Sequence, residues 1–321
     1  ETTLYRFTSA AAQQILALAP QERVRGPGLP VHVSVRGAQA LAAAPDDSIF
    51  VLSAKSQKVI HYSPQGQQIH AFSLPQNNPT ALTIDKKGQI IVAGGEEKLV
   101  WYDARGTIIQ QTSATRELYH PFGLAVINQN ELLVSDLERR HLVHLSAQGD
   151  LLETFTVPGI AWPGTLTVTP DQQHVWIYDG EMGTVTEMAI AERTILRQIS
   201  AYQTGFDEAV ALALLPNQNL LQTIPRQRRL IETNPQGEIV RIWSGFDQPT
   251  ALTINTATEL FVLDRKLEEV HRLPALYAGV APQNIAISTT IDPQVIDPQV
   301  NGPETTAPDS PLSPIATPTT R

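Results

Sequence analysis

Six stretches of this chain repeat one pattern: a short alternating apolar run, a denser apolar run, a polar turn and a third apolar run. The clearest copy is "FGLAVINQNELLVSDLERRHLVHLSAQG" (122–149), and "TALTIDKKGQIIVAGGEEKLVWYDARG" (80–106) follows the same order. The first run of each unit carries a leucine, at Leu41, Leu82, Leu124, Leu166, Leu212 and Leu252, so the steps are 41, 42, 42, 46 and 40 residues. Alternation with a period of two reads as strand, and Gly, Pro, Asn and Asp punctuate the runs as turns. Most units are followed by a fourth run, such as "QIHAF", "LLETF" and "EIVRIW". Four short strands every 40–45 residues is the period of a propeller blade. One such sheet cannot bury both faces by itself. Six sheets packed face to face around an axis bury them all and leave no long edge on the ring's interior.

The sixth unit lacks a fourth run, because "EVHRLP" leads into Pro-rich sequence. The stretch "VHVSV" (31–35) precedes the first unit and resembles the outer run "EIVRIW". Val31–Val35 is therefore expected to close the ring as the outer strand of blade six. "QNIAIST" (283–289) is the competing candidate for that position. The expected fold is all-β: a six-bladed β-propeller over 31–276, closed by an N-terminal strand. A short N-terminal helix and a disordered C-terminal tail flank it.

Residues 1–30 form the N-terminal extension. "SAAAQQILALA" (9–19) opens on Ser9, an N-cap residue, and stops before Pro20, which predicts the short helix. "RGPGLP" (25–30) reads as a linker. From 277 to 321 the composition turns to Pro, Thr and Ser, with the tandem "IDPQVIDPQV" (291–300). Such a segment has too little apolar surface to fold alone and is expected to serve as a flexible tether to a membrane, wall or partner.

Composition removes several function classes. The net charge of −9 argues against a nucleic-acid binder or an anionic-membrane binder. There is no cysteine, hence no disulfide, thiolate nucleophile or Cys-ligated zinc. No apolar run approaches the roughly 18 residues that span a bilayer. The start on Glu1 fits processing of a longer precursor, and the expected setting is bacterial and extracytoplasmic, periplasmic or extracellular.

The third unit, with Pro121, Gly123, Val134, Asp136 and Gly149, resembles the NHL repeat. The resemblance extends to the second, fourth and sixth units, is weak in the first and fifth, and covers roughly 31–275. It implies a six-bladed propeller and leaves the activity open. The similar SMP-30/gluconolactonase propellers hold a divalent metal with Glu, Asn and Asp side chains in the tunnel. Their strand-start pattern "N-G-L-A-x-x-P-D-G" is replaced here by "PGTLTVTPDQQ" (163–173), with Pro163 and Gly164 where Asn and Gly would stand.

Four residues before each anchor leucine lie Gly37, Asn78, His120, Trp162, Glu208 and Gln248. In a propeller this column rings one mouth of the tunnel, and ligands bind there. Arg139 and Arg140 of "ERR", and Arg226, Arg228 and Arg229 of "PRQRRL", belong to turns on the same face. Acids such as Glu138 and Glu181 dilute their charge, and no stacking platform accompanies them, so nucleic acid is not the expected partner. A second column, at Ser53, Gly94, Asp136, Asp179, Ile224 and Asp264, follows the second run. Its aspartates are expected to accept backbone N–H groups as in Asx turns. His141 and His144, three apart on one strand, face opposite ways and make poor joint metal ligands.

The expected function is non-enzymatic recognition of a protein, a small ligand or a glycan, with no cofactor. The alternative is a lactonase-like hydrolase holding a divalent cation, such as Ca, with Glu208, Asn78 and His120. If Val31–Val35 closes the ring, deleting it should lower the melting temperature sharply, whereas deleting 290–321 should leave it nearly unchanged. Thermal unfolding of the two truncations checks both boundaries.

Overall fold

The computed structural model describes residues 21–23, 31–94, 98–112, 117–200 and 210–273. It contains β1 (Gln21–Arg23) and β2 (Val31–Ser34), followed by six successive sheets. Blade one is β3 (Ala38–Ala43), β4 (Ile49–Ser53), β5 (Lys58–Tyr62) and β6 (Gln68–Ser73). Blade two is β7 (Pro79–Ile84), β8 (Ile90–Gly94), β9 (Lys98–Tyr102) and β10 (Ile108–Gln111). Blade three is β11 (Pro121–Val126), β12 (Leu132–Asp136), β13 (His141–Leu145) and β14 (Leu151–Phe155). Blade four is β15 (Pro163–Val168), β16 (His174–Asp179), β17 (Thr184–Ala189) and β18 (Ile195–Ser200). Blade five is β19 (Leu212–Leu214), β20 (Leu220–Ile224), β21 (Arg229–Thr233) and β22 (Ile239–Ser244). Blade six is β23 (Pro249–Ile254), β24 (Leu260–Asp264) and β25 (Glu269–Leu273), completed by β2. Within each blade the strands pair antiparallel in sequence order.

The apolar pattern explains this layout. In blades one, two, three, five and six every residue of the second strand is buried, so that strand reads as a dense apolar run. Outer strands such as Leu151–Phe155 are the most exposed. Six apolar clusters form the core, one at each blade–blade interface. Phe50 and Leu52 of blade one meet Leu82 and Val92 of blade two. Leu133 and Leu142 of blade three meet Leu166 and Ile177 of blade four.

The ring closes through β2. Val31 pairs with His271, Val33 with Val270 and Ser34 with Glu269, and the Val35 N–H donates to Glu268 O at 2.8 Å. Val33 and Val35 then pack with Val270 and Leu263 of blade six and Leu41 and Val51 of blade one. The outer position of blade six is thus taken by the expected segment rather than by "QNIAIST", which lies outside the described residues. The 9–19 helix and the 277–321 tail also lie outside them. One element departs from the sequence reading. Gln21–Arg23 is a strand, paired parallel to β22 as a fifth strand on blade five. Three residues are too few to show a strand period.

Polar links run around the rim opposite the inter-blade loops. His70 bonds Arg105 O at 3.0 Å, Gln110 donates to Ala147 O at 2.9 Å, and Arg197 donates to Pro235 O at 2.8 Å. Arg272 donates to Pro64 O at 3.1 Å, from blade six back to blade one. Each acceptor belongs to the turn between the third and fourth strands of the next blade. The glycine in that turn has a positive φ and sits against the preceding blade. A Cβ on Gly106 (φ +85°) would lie 2.2 Å from Phe72 Cγ. Gly88 (φ +77°) has nothing within 4 Å.

These two glycines separate strain from packing. Gly88→Ala should cost about 1 kcal/mol, the left-handed penalty alone. Gly106→Ala should cost about 2 kcal/mol more, because the added carbon also overpacks the interface with Phe72. Urea unfolding of both variants reads the difference; equal losses would refute the close-approach role.

Candidate recognition face

The second-column aspartates organise the end of the ring where the inter-blade loops and the second-to-third-strand turns gather. Asp136, fully buried, accepts the N–H groups of Tyr119 at 2.5 Å, His120 at 2.8 Å and Arg139 at 2.9 Å. Asp179 does the same for Ala161 and Trp162, and for Glu181 and Met182. Asp264 accepts from Asp247, Gln248 and Leu267. Each carboxylate therefore ties the loop entering its blade to the turn leaving the second strand. The aspartates act as the expected turn residues, and they hold the face residues in place. In blade one Ser53 fills this position, its hydroxyl donating to Arg36 O at 2.8 Å. In blade two Gly94 leaves the space to backbone, since a Cβ there would lie 2.3 Å from Pro79 Cα.

The loop column emerges on this scaffold. Asn78, His120, Trp162 and Gln248 are exposed, Asn78 with φ +48°. Glu208 lies outside the described residues. Of the trio Glu208, Asn78 and His120, only the last two are described, and both are exposed. Among the described residues no group of three His, Asp or Glu side chains is placed to hold a metal ion.

Trp162 and Arg140 are brought together across blades three and four. The Arg140 guanidinium lies 5.1 Å from the Trp162 ring centroid, and its Nη1 is 3.8 Å from Glu181 Oε2. Arg139, beside it, is exposed. Met182, on the β16–β17 turn, and Tyr119, on the loop entering blade three, are exposed too, at 58% and 57%. Sequence reading missed these two. Their signal was position: Tyr119 precedes the loop-column residue, and Met182 lies three residues past a buried aspartate.

The blade-five arginines do not join this group. Arg226 and Arg228 are exposed, and Arg228 Nε lies 3.4 Å from Asp247 Oδ1. Lys266 Nζ reaches the same carboxylate at 3.0 Å. Arg229 begins β21 and is half-buried; its Nη1 has no hydrogen-bond partner among the described residues. Arg228 of blade five and Lys266 of blade six both answer Asp247 on the loop entering blade six, which leaves a mixed-charge face. His141 and His144 part as expected: His141 bonds Glu117 O at 2.9 Å, whereas His144 contacts Glu131 at 2.8 Å and Glu153 at 3.3 Å.

The inner strands of all six blades enclose a central cavity of about 690 Å³. Among the described residues, its wall carries no charged side chain between Asp85 and Lys86 at one end and Arg265 at the recognition face. Displaced pKa values occur away from this face. Burial raises Tyr102 to about 12 and lowers His61 and His32, the latter also through Arg272.

No family model matches the chain, and no curated protein sequence does. Solved structures do share the fold. A streptogramin B lyase aligns with a TM-score of 0.60 and 11% identity, over 74% of this chain and 93% of the lyase. A catalytically inactive virginiamycin B lyase from Staphylococcus aureus with quinupristin gives 0.59 and 13%, over 75% and 82%. The WD40 propeller domain of Doa1 gives 0.56 and 11%, over 74% and 93%. The chain is a six-bladed β-propeller. No helix among the described residues is long and apolar enough to cross a membrane.

Asp179→Ala should lower the unfolding free energy by about 3 kcal/mol, because four N–H groups lose a charged acceptor. Denaturant titration checks it, and a loss near zero would remove the scaffold role.

Proposed function

We propose that this propeller is a non-enzymatic recognition module that binds a protein segment on the face carrying the inter-blade loops. The observation that carries this reading is the Arg140–Trp162 stack on a face that also exposes Tyr119 and Met182. Aromatic residues, Met and Arg are the types enriched in binding interfaces, and a soluble surface has little other reason to gather them. The loops that carry them are fixed by buried Asp136 and Asp179, so little ordering is left to oppose binding. The NHL-like motif of the third unit supports membership of that repeat class. The acidic, cysteine-free composition supports a periplasmic or extracellular setting.

Peptide display against the immobilised protein should enrich sequences that bind the parent and bind Tyr119→Ala/Trp162→Ala at least about tenfold more weakly, as loss of two aromatic anchors dictates. Enrichment indifferent to the double variant would overturn the reading. A chelator should leave the melting temperature unchanged. A stoichiometric divalent cation retained through purification would favour the metal-dependent hydrolase, with its Glu208, Asn78 and His120 set.

A further inference from the structure

All the sulfur of this chain sits in two side chains. There is no cysteine, and the two methionines are Met182 and Met188. Met188 belongs to β17, is completely buried, and packs with Leu166 and Ile177 in the cluster that joins blades three and four. Met182, on the turn that leads into β17, is exposed. The one accessible thioether of the molecule therefore stands on the recognition face.

Its place there is fixed by the same carboxylate that fixes Trp162. The Met182 N–H and the Trp162 N–H both donate to Oδ1 of the buried Asp179, each at 3.2 Å. The Glu181 N–H reaches that oxygen at 2.9 Å, and the Gly180 N–H donates to Trp162 O at 2.9 Å. One oxygen thus holds the backbones of the thioether and the indole as neighbours. Arg140 joins them from blade three, stacked on Trp162 and 3.8 Å from Glu181 Oε2. Met182 is exposed on a pinned turn, so its accessibility needs no opening of the fold.

Access decides where a two-electron oxidant acts on a thioether. The sulfur lone pair attacks one oxygen of a peroxide; an S–O bond forms and the O–O bond breaks. The departing oxygen takes up the proton and leaves as water or an alcohol. The thioether is oxidised to the sulfoxide, and the peroxide is reduced. Met188 offers no surface for that attack, whereas Met182 does. The product is polar and chiral where the thioether was apolar and adaptable. A partner that covers the sulfoxide must strip water from its oxygen, a cost the thioether does not impose. Oxidation therefore acts on binding at this corner and leaves the buried core untouched.

We propose that Met182 is a modification site for hydroperoxides, and that its sulfoxide releases the peptide held on the recognition face. The release presupposes the peptide-binding function proposed for that face. The full chain is treated with hydrogen peroxide, the peroxide is removed, and binding is measured with a display-selected peptide that contains no Met or Cys. Peptide mass analysis should find one added oxygen on Met182 and none on Met188, with the thermal unfolding curve unchanged. The oxidised protein should bind the selected peptide about fivefold or more weakly. The two stereospecific methionine sulfoxide reductases together should restore the untreated affinity. Met182→Leu has a starting affinity of its own, and peroxide should leave that value within about twofold. Oxygen on Met188 ahead of Met182, undiminished binding by the oxidised parent, or an equal peroxide loss in Met182→Leu would overturn the proposal and leave peptide recognition standing. A selection that yields no peptide dependent on Tyr119 and Trp162 would instead overturn peptide recognition, and the release with it.

Discussion

Everything in this molecule depends on the apolar contact between one blade and the next. A four-stranded sheet presents two faces, and here both are apolar. The second strands are buried throughout in five of the six blades, with Ile49, Ile90, Leu132, Leu220 and Leu260 completely covered. No blade covers its own faces. Each of the six clusters is shared, as when Trp243 and Leu230 of blade five meet Leu252 and Val262 of blade six. The stability of each blade is thus a property of its neighbours, and the ring is the arrangement in which every blade has two.

The same dependence explains the division of labour along each strand set. Interface positions are fixed by volume. The turn glycines yield space to the preceding blade, and the rim bonds of His70, Gln110, Arg197 and Arg272 hold the turns in register. The loops at the recognition face each send a residue into the core, Leu118, Ile160 and Phe246 among them, and expose others. There the buried aspartates hold the loops as a fixed surface, on which Arg140 and Trp162 are displayed.

The fold was legible because its signal is periodic. Leucine steps of 40 to 46 residues survive local noise, and the missing fourth run of blade six pointed to Val31–Val35. The aspartates at 136, 179 and 264 were legible as turn residues because they end strands and precede polar turns. The recognition cluster was only half legible. Trp162 and His120 fall in a column that repeat spacing reveals, and Arg140 in a charged turn on the same face, whereas Tyr119 and Met182 stand at repeat-related positions whose residue type changes from unit to unit. The strand at Gln21–Arg23 was illegible because three residues are too few to show a strand period.

The closing strand also has a consequence in time. β2 is among the first described segments to be synthesised, and its partner β25 is the last described strand. Until β25 exists, β2 has no pairing edge in its own sheet, and blade one lacks the neighbour that covers Leu41 and Val51. A growing chain can stack blades one to five in order, but it must carry open apolar ends until synthesis is nearly complete. Ring closure is therefore a single late event over a long stretch of sequence, and it is the step at which a slowed or interrupted chain is most exposed to aggregation.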